Sequence, residues 1–180
     1  MAPDAADRTV DVVRAGVAYR CRPVHAVHAA DAADATDVLA LYESLGPDSR
    51  LRRFGQPVPR YDRGLRRALT EFDLGPVWLA RDRLGSCVGE ARVAASRREP
   101  CSHLAVTVAD AVQGRGLGPA LARLAVTDAI RLGLAPVVVT IAADNRPALR
   151  LAARHGIELR WDDGLLSGRV RLRRGPVRAA

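Results

Sequence analysis

Three closely spaced glycines lie between an apolar run and a segment with helical periodicity. They are Gly114, Gly116 and Gly118, within VTVADAVQGRGLGPALARLAV. Glycine leaves neighbouring backbone N–H groups unobstructed, and the N-terminus of a helix carries a partial positive charge. Pro119 would fall in the first helical turn, where its missing N–H costs little, and Arg115 could add a charge-assisted contact. The segment therefore predicts an anion site suited to phosphate oxygens.

Two common phosphate-binding patterns do not fit this segment. A P-loop requires Lys followed by Ser or Thr after its glycines, and the sequence contains no Lys. The dinucleotide fingerprint G-x-G-x-x-G requires a small residue at its last position. That position is Pro119 if the pattern begins at Gly114, and Leu121 if it begins at Gly116. Neither a P-loop nor a Rossmann dinucleotide site is therefore predicted.

The pattern that does fit is Q-x-x-G-x-G, formed by Gln113, Gly116 and Gly118. With a strand before it and a helix after it, the segment resembles the cofactor loop of the GNAT superfamily of acyl-CoA-dependent N-acyltransferases. A second block, ADNRPALRLAARHGI, resembles the superfamily's N-x-x-A-x-x-L…G-F block and has the expected order and separation. The matching positions of that block are Asn145, Ala148, Leu151 and Gly156, with Ile157 in place of Phe.

This resemblance implies a binding mode for acetyl-CoA, the expected co-substrate. Backbone amides of the loop would bind its pyrophosphate, the pantetheine would pair with the edge of the preceding strand, and Asn145 would hold the cofactor arm near the thioester. The implied residues are Gln113, Gly114, Arg115, Gly116, Leu117, Gly118 and Pro119 in the loop, and Val106, Thr107 and Val108 in the strand. Direct transfer would draw much of its rate from proximity, and a backbone N–H could stabilise the oxyanion. No metal ion is expected.

The N-terminal half contains LYESLGPDSRLRRFGQPVPR, which resembles the L-S-P-E-S-R-x-x-R-F-F element of bacterial Pat-type protein lysine acetyltransferases. The matches are Leu45, Pro47, Ser49, Arg50, Arg53 and Phe54, whereas Gly46 and Gly55 depart from the pattern. The two halves together extend the resemblance over residues 19–161. Two interpretations of the arginines stay open: a solvated helix face with Phe54 in the core, or a role on the acceptor side.

An acceptor ammonium must lose a proton before its nitrogen can attack, so the implied reaction needs a base. In Pat-type relatives a Glu on the strand before the cofactor loop is thought to serve. Laying SHLAVTVAD on the family's A-E-V-A-x-x-V-x-D pattern places His103 at that position. A histidine is partly neutral near pH 7 and could act as base or relay a proton through water. Three alternatives stay open: Glu90 on the neighbouring strand takes over, the catalytic position is degenerate, or His103 is structural.

Composition narrows the class of protein. The chain has 180 residues, of which 48% are hydrophobic, and this suits one globular domain. No apolar run reaches the roughly 18–20 residues that a membrane helix needs, and the N-terminus lacks the apolar stretch of a signal peptide. Cys21, Cys87 and Cys101 form no C-x-x-C pair. We therefore expect a cytoplasmic protein with reduced thiols and without a zinc site.

The positive charge of the basic side chains comes from arginine alone. Net charge is +8, and all 28 basic residues are Arg. A basic surface attracts anions, including nucleotide phosphates. These arginines are spread along the chain without the basic, aromatic-interleaved cluster of a nucleic-acid-binding face, so nucleic acid is not an expected partner.

Periodicity predicts the elements that must position these residues. Strands are expected at Ala18–Val24, Val77–Arg81, Ser86–Ala95, Leu104–Val108, Pro136–Ile141, Ile157–Trp161 and Gly168–Arg173. Helices are expected at Asp31–Leu45, Gly116–Leu132 and Arg146–His155, with one or two short helices after Gly46-Pro47. This order predicts a mixed α/β fold of GNAT type, with a largely antiparallel sheet flanked by helices. The domain would span residues 18–174, between a loose lead-in over 1–17 and a tail over 175–180.

We therefore expect an enzyme that transfers an acetyl group from acetyl-CoA to an amine, with a protein lysine as the favoured acceptor. A small-molecule amine is the second acceptor class. A different class of function also stays open, a non-catalytic acyl-CoA-binding regulatory module, and the departure at His103 is the feature that favours it. Acetyl-CoA and the acceptor are the expected partners, no membrane is expected, and homodimer formation stays open.

Overall fold

Alternating valine-rich segments form the strands of a single sheet in the part of the chain that the structure describes. The computed structural model describes residues 8–24, 32–58, 60–72, 74–96, 99–134 and 136–170. The strands are β1 (Val10–Arg14), β2 (Val17–Val24), β3 (Val77–Arg81), β4 (Cys87–Ala95), β5 (Ser102–Val108), β6 (Val137–Ile141), β7 (Arg160–Asp162) and β8 (Leu165–Arg169). Their order is β1-β2-β3-β4-β5-β6-β8-β7, and every pairing is antiparallel except that of β5 with β6.

Five α-helices cover the two faces of this sheet. They are α1 (Ala32–Glu43), α2 (Pro47–Phe54), α3 (Arg63–Thr70), α4 (Leu117–Arg131) and α5 (Arg146–Arg154). A single turn of 3-10 helix at Asp110–Val112 precedes α4. The predicted mixed α/β fold with a largely antiparallel sheet is confirmed, and the helices lie close to their predicted bounds.

The apolar residues sort into cores on opposite faces of the sheet because side chains alternate along each strand. Trp78 and Ala80 of β3 pack with Leu121 of α4, whereas Val77 and Leu79 of the same strand pack with α1 and α3. Leu121 is fully buried, and burial of such a side chain stabilises the fold by about 1.5–3 kcal/mol. A smaller core forms where α5 packs its Ala152 against Val139 and Ile141 of β6.

The sheet begins earlier than predicted. Residues 10–14 were expected in a loose lead-in, but they form β1, which pairs antiparallel with β2 from Val10↔Cys21 to Arg14↔Val17. Ala15 and Gly16 turn the chain with φ of 50° and 76°, which is the backbone of a tight two-residue hairpin. The alternation of apolar and polar residues in VDVVR indicates a strand, and the Ala-Gly pair that follows indicates a turn. Residues 1–7 lie outside the described part of the chain.

The last hairpin is shifted relative to its prediction. Its strands are β7 and β8 rather than Ile157–Trp161 and Gly168–Arg173, of which residues 171–173 lie outside the described part. Asp163 and Gly164 form the turn, with φ of 46° and 80°. Asp-Gly is among the strongest hairpin signals in a sequence, so WDDGLL should have set the register of this hairpin.

The parallel pairing of β5 and β6 is short. It joins Ser102 to Val137 and His103 to Val138. Beyond His103 the strands diverge, and residues 104–108 of β5 are paired only with β4 among the described residues. The sheet therefore opens into a V-shaped split directly after His103.

Within the described residues, none of the helices has the length and apolar character to cross a membrane.

Candidate active site

The glycine loop directly follows the free edge of β5. Gly114 and Gly116 adopt positive φ of 75° and 83°, and Gly116 is the N-cap of α4. No side chain among the described residues caps this helix, and the first amides of a helix have no acceptor within it. These N–H groups and the positive end of the helix dipole are therefore available to a ligand at the open end of the split.

Gln113 is engaged within the loop itself. Its backbone N–H donates to the Asp110 carbonyl at 3.3 Å, and its side-chain amide donates to the Val108 carbonyl at 3.0 Å. In this conformation the first unengaged amide of the loop is therefore that of Gly114, and contact of Gln113 with a cofactor stays a prediction. Leu117 is 1% exposed and offers only its backbone, and Pro119 has no N–H to donate, so it acts through shape alone.

Gly118, at the start of α4, faces side chains of β5 at a distance that would suit an added methyl group. A methyl group built on Gly118 would lie 3.6 Å from the Val108 side chain and 3.7 Å from that of Val106. The unpaired edge of residues 104–108 thus runs directly to the helix N-terminus. A chain of amides along a strand edge that ends at an anion site is the shape that pantetheine and pyrophosphate require, so these residues fit an acyl-CoA.

Asp110 ties α2 to this loop. Its carboxylate accepts hydrogen bonds from the Gly46 N–H at 2.8 Å, the Ser49 hydroxyl at 2.6 Å and the Gln113 side-chain amide at 2.8 Å. The motif residues Pro47 and Ser49 therefore lie beside the cofactor loop, although more than 60 residues separate them from it in sequence.

The three arginines of α2 differ in what they contact. Arg52 is a solvated residue that pairs with Asp48 at 4.0 Å. Arg50 instead donates to the carbonyls of Leu45 and Glu43, both at 2.8 Å, and so caps the end of α1. Arg53 points to the sheet. A solvated helix face is therefore the wrong interpretation for Arg50 and Arg53.

A buried polar network connects Arg53 to the sheet. The Nε of Arg53 donates to the Tyr42 hydroxyl at 3.0 Å and to Thr107 Oγ1 at 3.1 Å. Thr107 Oγ1 donates to the Tyr42 hydroxyl at 3.1 Å, and this hydroxyl donates to Glu90 Oε2 at 2.6 Å. Arg92 Nε donates to Glu90 Oε1 at 2.6 Å. The network fixes the strand residue whose backbone borders the split, Thr107.

Burial shapes the chemistry of this network. Burial, followed by the negative charge of Glu90, raises the pKa of Tyr42 to about 12, against the opposing charges of Arg53 and Arg92. Tyr42 is therefore a hydrogen-bond donor throughout the neutral range. Tyr42 falls within the helix predicted over Asp31–Leu45, and no local signal shows that its hydroxyl meets a carboxylate 48 residues away.

The two candidate bases share a face of the sheet but lie apart. Glu90 pairs with Thr107, and Ala94 pairs with His103, so four strand residues separate the two candidates, or about 13 Å along the strand. Glu90 is 1% exposed and both of its oxygens accept hydrogen bonds. His103 has a side chain that is 45% exposed and stands where the split begins. A single reacting atom cannot contact both.

Two further groups surround the His103 imidazole. Its Nε2 lies 3.6 Å from the Cys101 sulfur and 3.9 Å from a carboxylate oxygen of Glu99. Both residues also line a cleft of about 630 Å³ whose opposite wall comes from β7 and β8. Glu158, Asp162, Arg160 and Arg169 contribute charge to that cleft. His103 therefore stands where the split begins, and the two side chains nearest its Nε2 among the described residues line an open, charged cleft.

Asn145 has a structural task in this conformation. It is the N-cap of α5, and its side-chain oxygen accepts a hydrogen bond from the Ala148 N–H at 3.2 Å. Asn is a favoured N-cap because this bond satisfies one orphan amide of the helix. The structure therefore accounts for Asn145 through helix capping, and contact with a cofactor stays a prediction.

Arg14 is a candidate binding residue that the sequence did not reveal. A Cβ built on Gly116 would lie 3.2 Å from Arg14 Cδ, so the exposed guanidinium of the β1–β2 hairpin stands beside the anion loop. Arg115 is also exposed, and one of its terminal nitrogens donates to the Ala111 carbonyl at 3.1 Å. Arg14 was missed because its segment was interpreted as a lead-in.

Comparison with known proteins agrees with this geometry. The profile of the Acetyltransferase (GNAT) family matches residues 38–157. The GNAT domain of PAT from S. lividans superposes with a TM-score of 0.76 at 23% identity, covering 89% of this chain and 95% of that one. Ribosomal-protein-S5-alanine acetyltransferase from Vibrio fischeri superposes with a TM-score of 0.63 at 12% identity, covering 91% and 97%.

A larger protein also contains this fold. A cAMP-binding acyltransferase from Mycobacterium smegmatis superposes with a TM-score of 0.59 at 25% identity, covering 92% of this chain. The matched region is 48% of that protein, so this chain spans about half its length. No curated protein sequence matches the chain.

Proposed function

Because the chain belongs to the GNAT acetyltransferase family, we propose that it transfers the acetyl group of acetyl-CoA directly to the side-chain amine of a protein lysine. Acyl transfer to an amine, with acetyl-CoA as co-substrate, is the general chemistry of the family. Beyond this general chemistry, we propose for this chain a protein-lysine acceptor, direct transfer and the residues that carry it out.

One observation carries it: β5 leaves β6 directly after His103, and the edge this exposes runs to the α4 N-terminus. Pantetheine amides would pair with the backbone of Val106, Thr107 and Val108, and the pyrophosphate would lie against the amides that begin at Gly114. In this arrangement the thioester would lie near the start of the split, where His103 lies. Holding the two reactants there makes the attack effectively unimolecular.

His103 is the proposed base. Neutral imidazole accepts the proton of the acceptor ammonium, directly or through water, and the freed amine attacks the thioester carbonyl carbon. A C–N bond forms, the C–S bond breaks, and CoA leaves as its thiolate. Glu90 is proposed as a positioning residue and not as the base. Through Tyr42 and Arg53 it holds Thr107 in place, and with it the strand edge along which the cofactor would bind.

The cleft beside His103 supports a cationic acceptor. Three carboxylates, those of Glu99, Glu158 and Asp162, line it together with two arginines, Arg160 and Arg169. The excess of carboxylates would attract a lysine ammonium. The cleft is open to solvent on the surface of the sheet, which suits a side chain presented by a protein. Small polyamines would be attracted by the same charges, so they are the second acceptor class.

A second candidate function, acyl-CoA binding without catalysis, rests on His103 itself, since Pat-type relatives have a Glu at this position. The two functions differ in one measurable property, namely turnover. Release of free CoA from acetyl-CoA should be followed with purified full chain against lysine-rich proteins, lysine-containing peptides and small polyamines.

The expected result is CoA release that depends on a lysine-containing protein, with acetyl-lysine found on that protein by mass spectrometry. The absence of Lys from this chain makes the readout clean, because all acetyl-lysine must come from the acceptor. Release with polyamines alone would favour the small-molecule acceptor. Saturable acetyl-CoA binding without turnover of any amine would favour the regulatory module and overturn the enzymatic proposal.

A further inference from the structure

Three different metal-binding side chains converge at the start of β5. They come from Glu99 and Cys101 in the turn that precedes β5, and from His103 on the strand itself. Their ligand atoms all lie within 4.8 Å of one another. The cluster stands at the mouth of the charged cleft and at the beginning of the split.

The distances in this cluster match those between the ligands of a tetrahedral zinc ion. Bond lengths of about 2.3 Å for sulfur, 2.0–2.1 Å for nitrogen and 2.0–2.2 Å for oxygen put such ligands about 3.6 Å apart for S···N and S···O, and about 3.4 Å apart for N···O. The structure has 3.6 Å from Cys101 Sγ to His103 Nε2, 3.3 Å from Cys101 Sγ to Glu99 Oε2, and 3.9 Å from His103 Nε2 to Glu99 Oε2. Shifts of a few tenths of an ångström would complete the geometry.

The backbone holds the three residues in place. His103 is paired on both sides, with Ala94 and with Val138. The Cys101 carbonyl accepts a hydrogen bond from the Ser96 N–H at 2.9 Å, and the Cys101 N–H donates to the Glu99 carbonyl at 2.8 Å. That last bond closes a three-residue turn, which brings the Glu99 side chain back over Cys101. Two of the three ligands therefore need little ordering when an ion binds.

We propose that Glu99, Cys101 and His103 form a binding site for a thiophilic divalent cation, with zinc as the fitting ion. Thiolate, imidazole and carboxylate are the ligand types that zinc prefers, and three protein ligands leave a fourth position open to water or to a ligand in the cleft. The sequence predicted no zinc site because there is no C-x-x-C pair. This site instead uses a mixed set of ligands from one short segment, the turn before β5 and the second residue of that strand.

The site has a consequence that rests on the proposed function. A zinc ion on His103 Nε2 occupies the lone pair that would accept the acceptor's proton, so zinc should inhibit acetyl transfer. Binding itself requires only the three side chains. Zinc binding and zinc inhibition are thus separable, and the first can be tested without any turnover.

The test is a titration of chelator-treated full chain with ZnCl₂ by calorimetry, repeated with CoCl₂ to detect a thiolate-to-cobalt charge-transfer band. We expect one ion per chain and a cobalt–thiolate band. Cys101→Ser should abolish the band, and both Cys101→Ser and His103→Gln should weaken zinc binding at least tenfold. Glu99→Gln should weaken it less. Cys87→Ser is the matched control, because it removes a thiol outside the cluster, and it should leave both signals unchanged.

Protection from alkylation gives an independent readout. Zinc should slow the reaction of Cys101 with iodoacetamide and leave Cys87 unaffected. The proposal is overturned if no saturable zinc binding occurs at micromolar concentrations, or if Cys101→Ser and His103→Gln, folded by circular dichroism, bind zinc as wild type does. Zinc binding without inhibition of an active enzyme would retain the site and remove His103 as base. An inactive protein that binds zinc through the cluster would overturn only the proposed function.

Discussion

The hydroxyl of Tyr42 on α1 donates a 2.6 Å hydrogen bond to the buried carboxylate of Glu90 on β4. The same hydroxyl accepts from Arg53 and Thr107, so one atom links helices α1 and α2 to the adjacent strands β4 and β5. Removing it leaves a buried carboxylate oxygen and a buried hydroxyl short of a partner.

Tyr42→Phe should therefore destabilise the fold by about 1–3 kcal/mol, the cost of leaving buried polar groups unsatisfied. Urea unfolding would measure the loss. Tyr61→Phe is the matched control because its hydroxyl makes a single bond to the Tyr42 carbonyl at 2.7 Å, and it should cost less. Equal losses in the two variants would contradict a special role for the Glu90 contact.

The pH dependence of the same pair has a definite sign. The pKa of Tyr42 rises from 10.0 to about 12 on folding, so the unfolded chain loses this proton first as pH increases. Its contribution to stability is therefore complete below pH 10 and is lost between pH 10 and about pH 12. Wild type should lose more stability than Tyr42→Phe over that window. Parallel pH profiles would show that Tyr42 does not titrate as described.

Gly116→Val should abolish or strongly weaken acetyl-CoA binding. Valine at φ 83° is strained and its side chain would meet Arg14, so the amides of the loop would be displaced from the phosphates. Gly164→Val imposes similar strain at φ 80° in the β7–β8 turn, where a Cβ meets nothing within 4 Å. Calorimetry with acetyl-CoA should separate them. Unchanged affinity in Gly116→Val would place the pyrophosphate elsewhere.

Arg14→Ala should weaken acetyl-CoA binding by a few-fold, and more at low salt than at high salt, since an exposed charge is screened. The reason is the position of its side chain against Gly116. Arg20→Ala removes another exposed arginine from the adjacent strand and should have no effect. If both variants bind equally well at low salt, Arg14 has no part in the anion site.

His103→Ala should reduce turnover by roughly 100- to 10,000-fold, the usual range for losing general-base catalysis, with little change in acetyl-CoA affinity. His103→Glu should recover part of the rate. Steady-state kinetics on the wild type and the two variants would measure both effects. Nearly full activity in the alanine variant would show that His103 is structural, and Glu90 or a water molecule would then be the candidate base.

Cys101 should be the first thiol to react with iodoacetamide at pH 8. Burial raises the pKa of Cys21 to about 11 and that of Cys87 to about 12, so each holds only a small thiolate fraction. Partial desolvation and Glu99 raise the pKa of Cys101 as well, against the opposing charge of Arg169. Its greater accessibility should nevertheless give the fastest labelling. Peptide mapping that finds Cys87 modified first would contradict this order.

The sequence alone determined the features that depend on short stretches of chain. The spacing of glycines 114, 116 and 118, with a strand before and a helix after, predicted an anion loop, and the structure has glycines at positive φ leading into an uncapped helix. Local patterns also gave most strands and helices, because side-chain periodicity and helix boundaries are set by residues only a few positions apart.

Only the tertiary structure determined which residues distant in sequence are in contact. Asp110 meets Ser49, and Tyr42 meets Glu90 and Thr107, across separations of 48 to 65 residues. Such contacts follow from how helices pack on strands, and no local pattern encodes them. The same holds for Arg14 beside Gly116. His103 could be found by alignment to a motif, but its place at the start of the split and beside Cys101 depends on where β5 leaves β6.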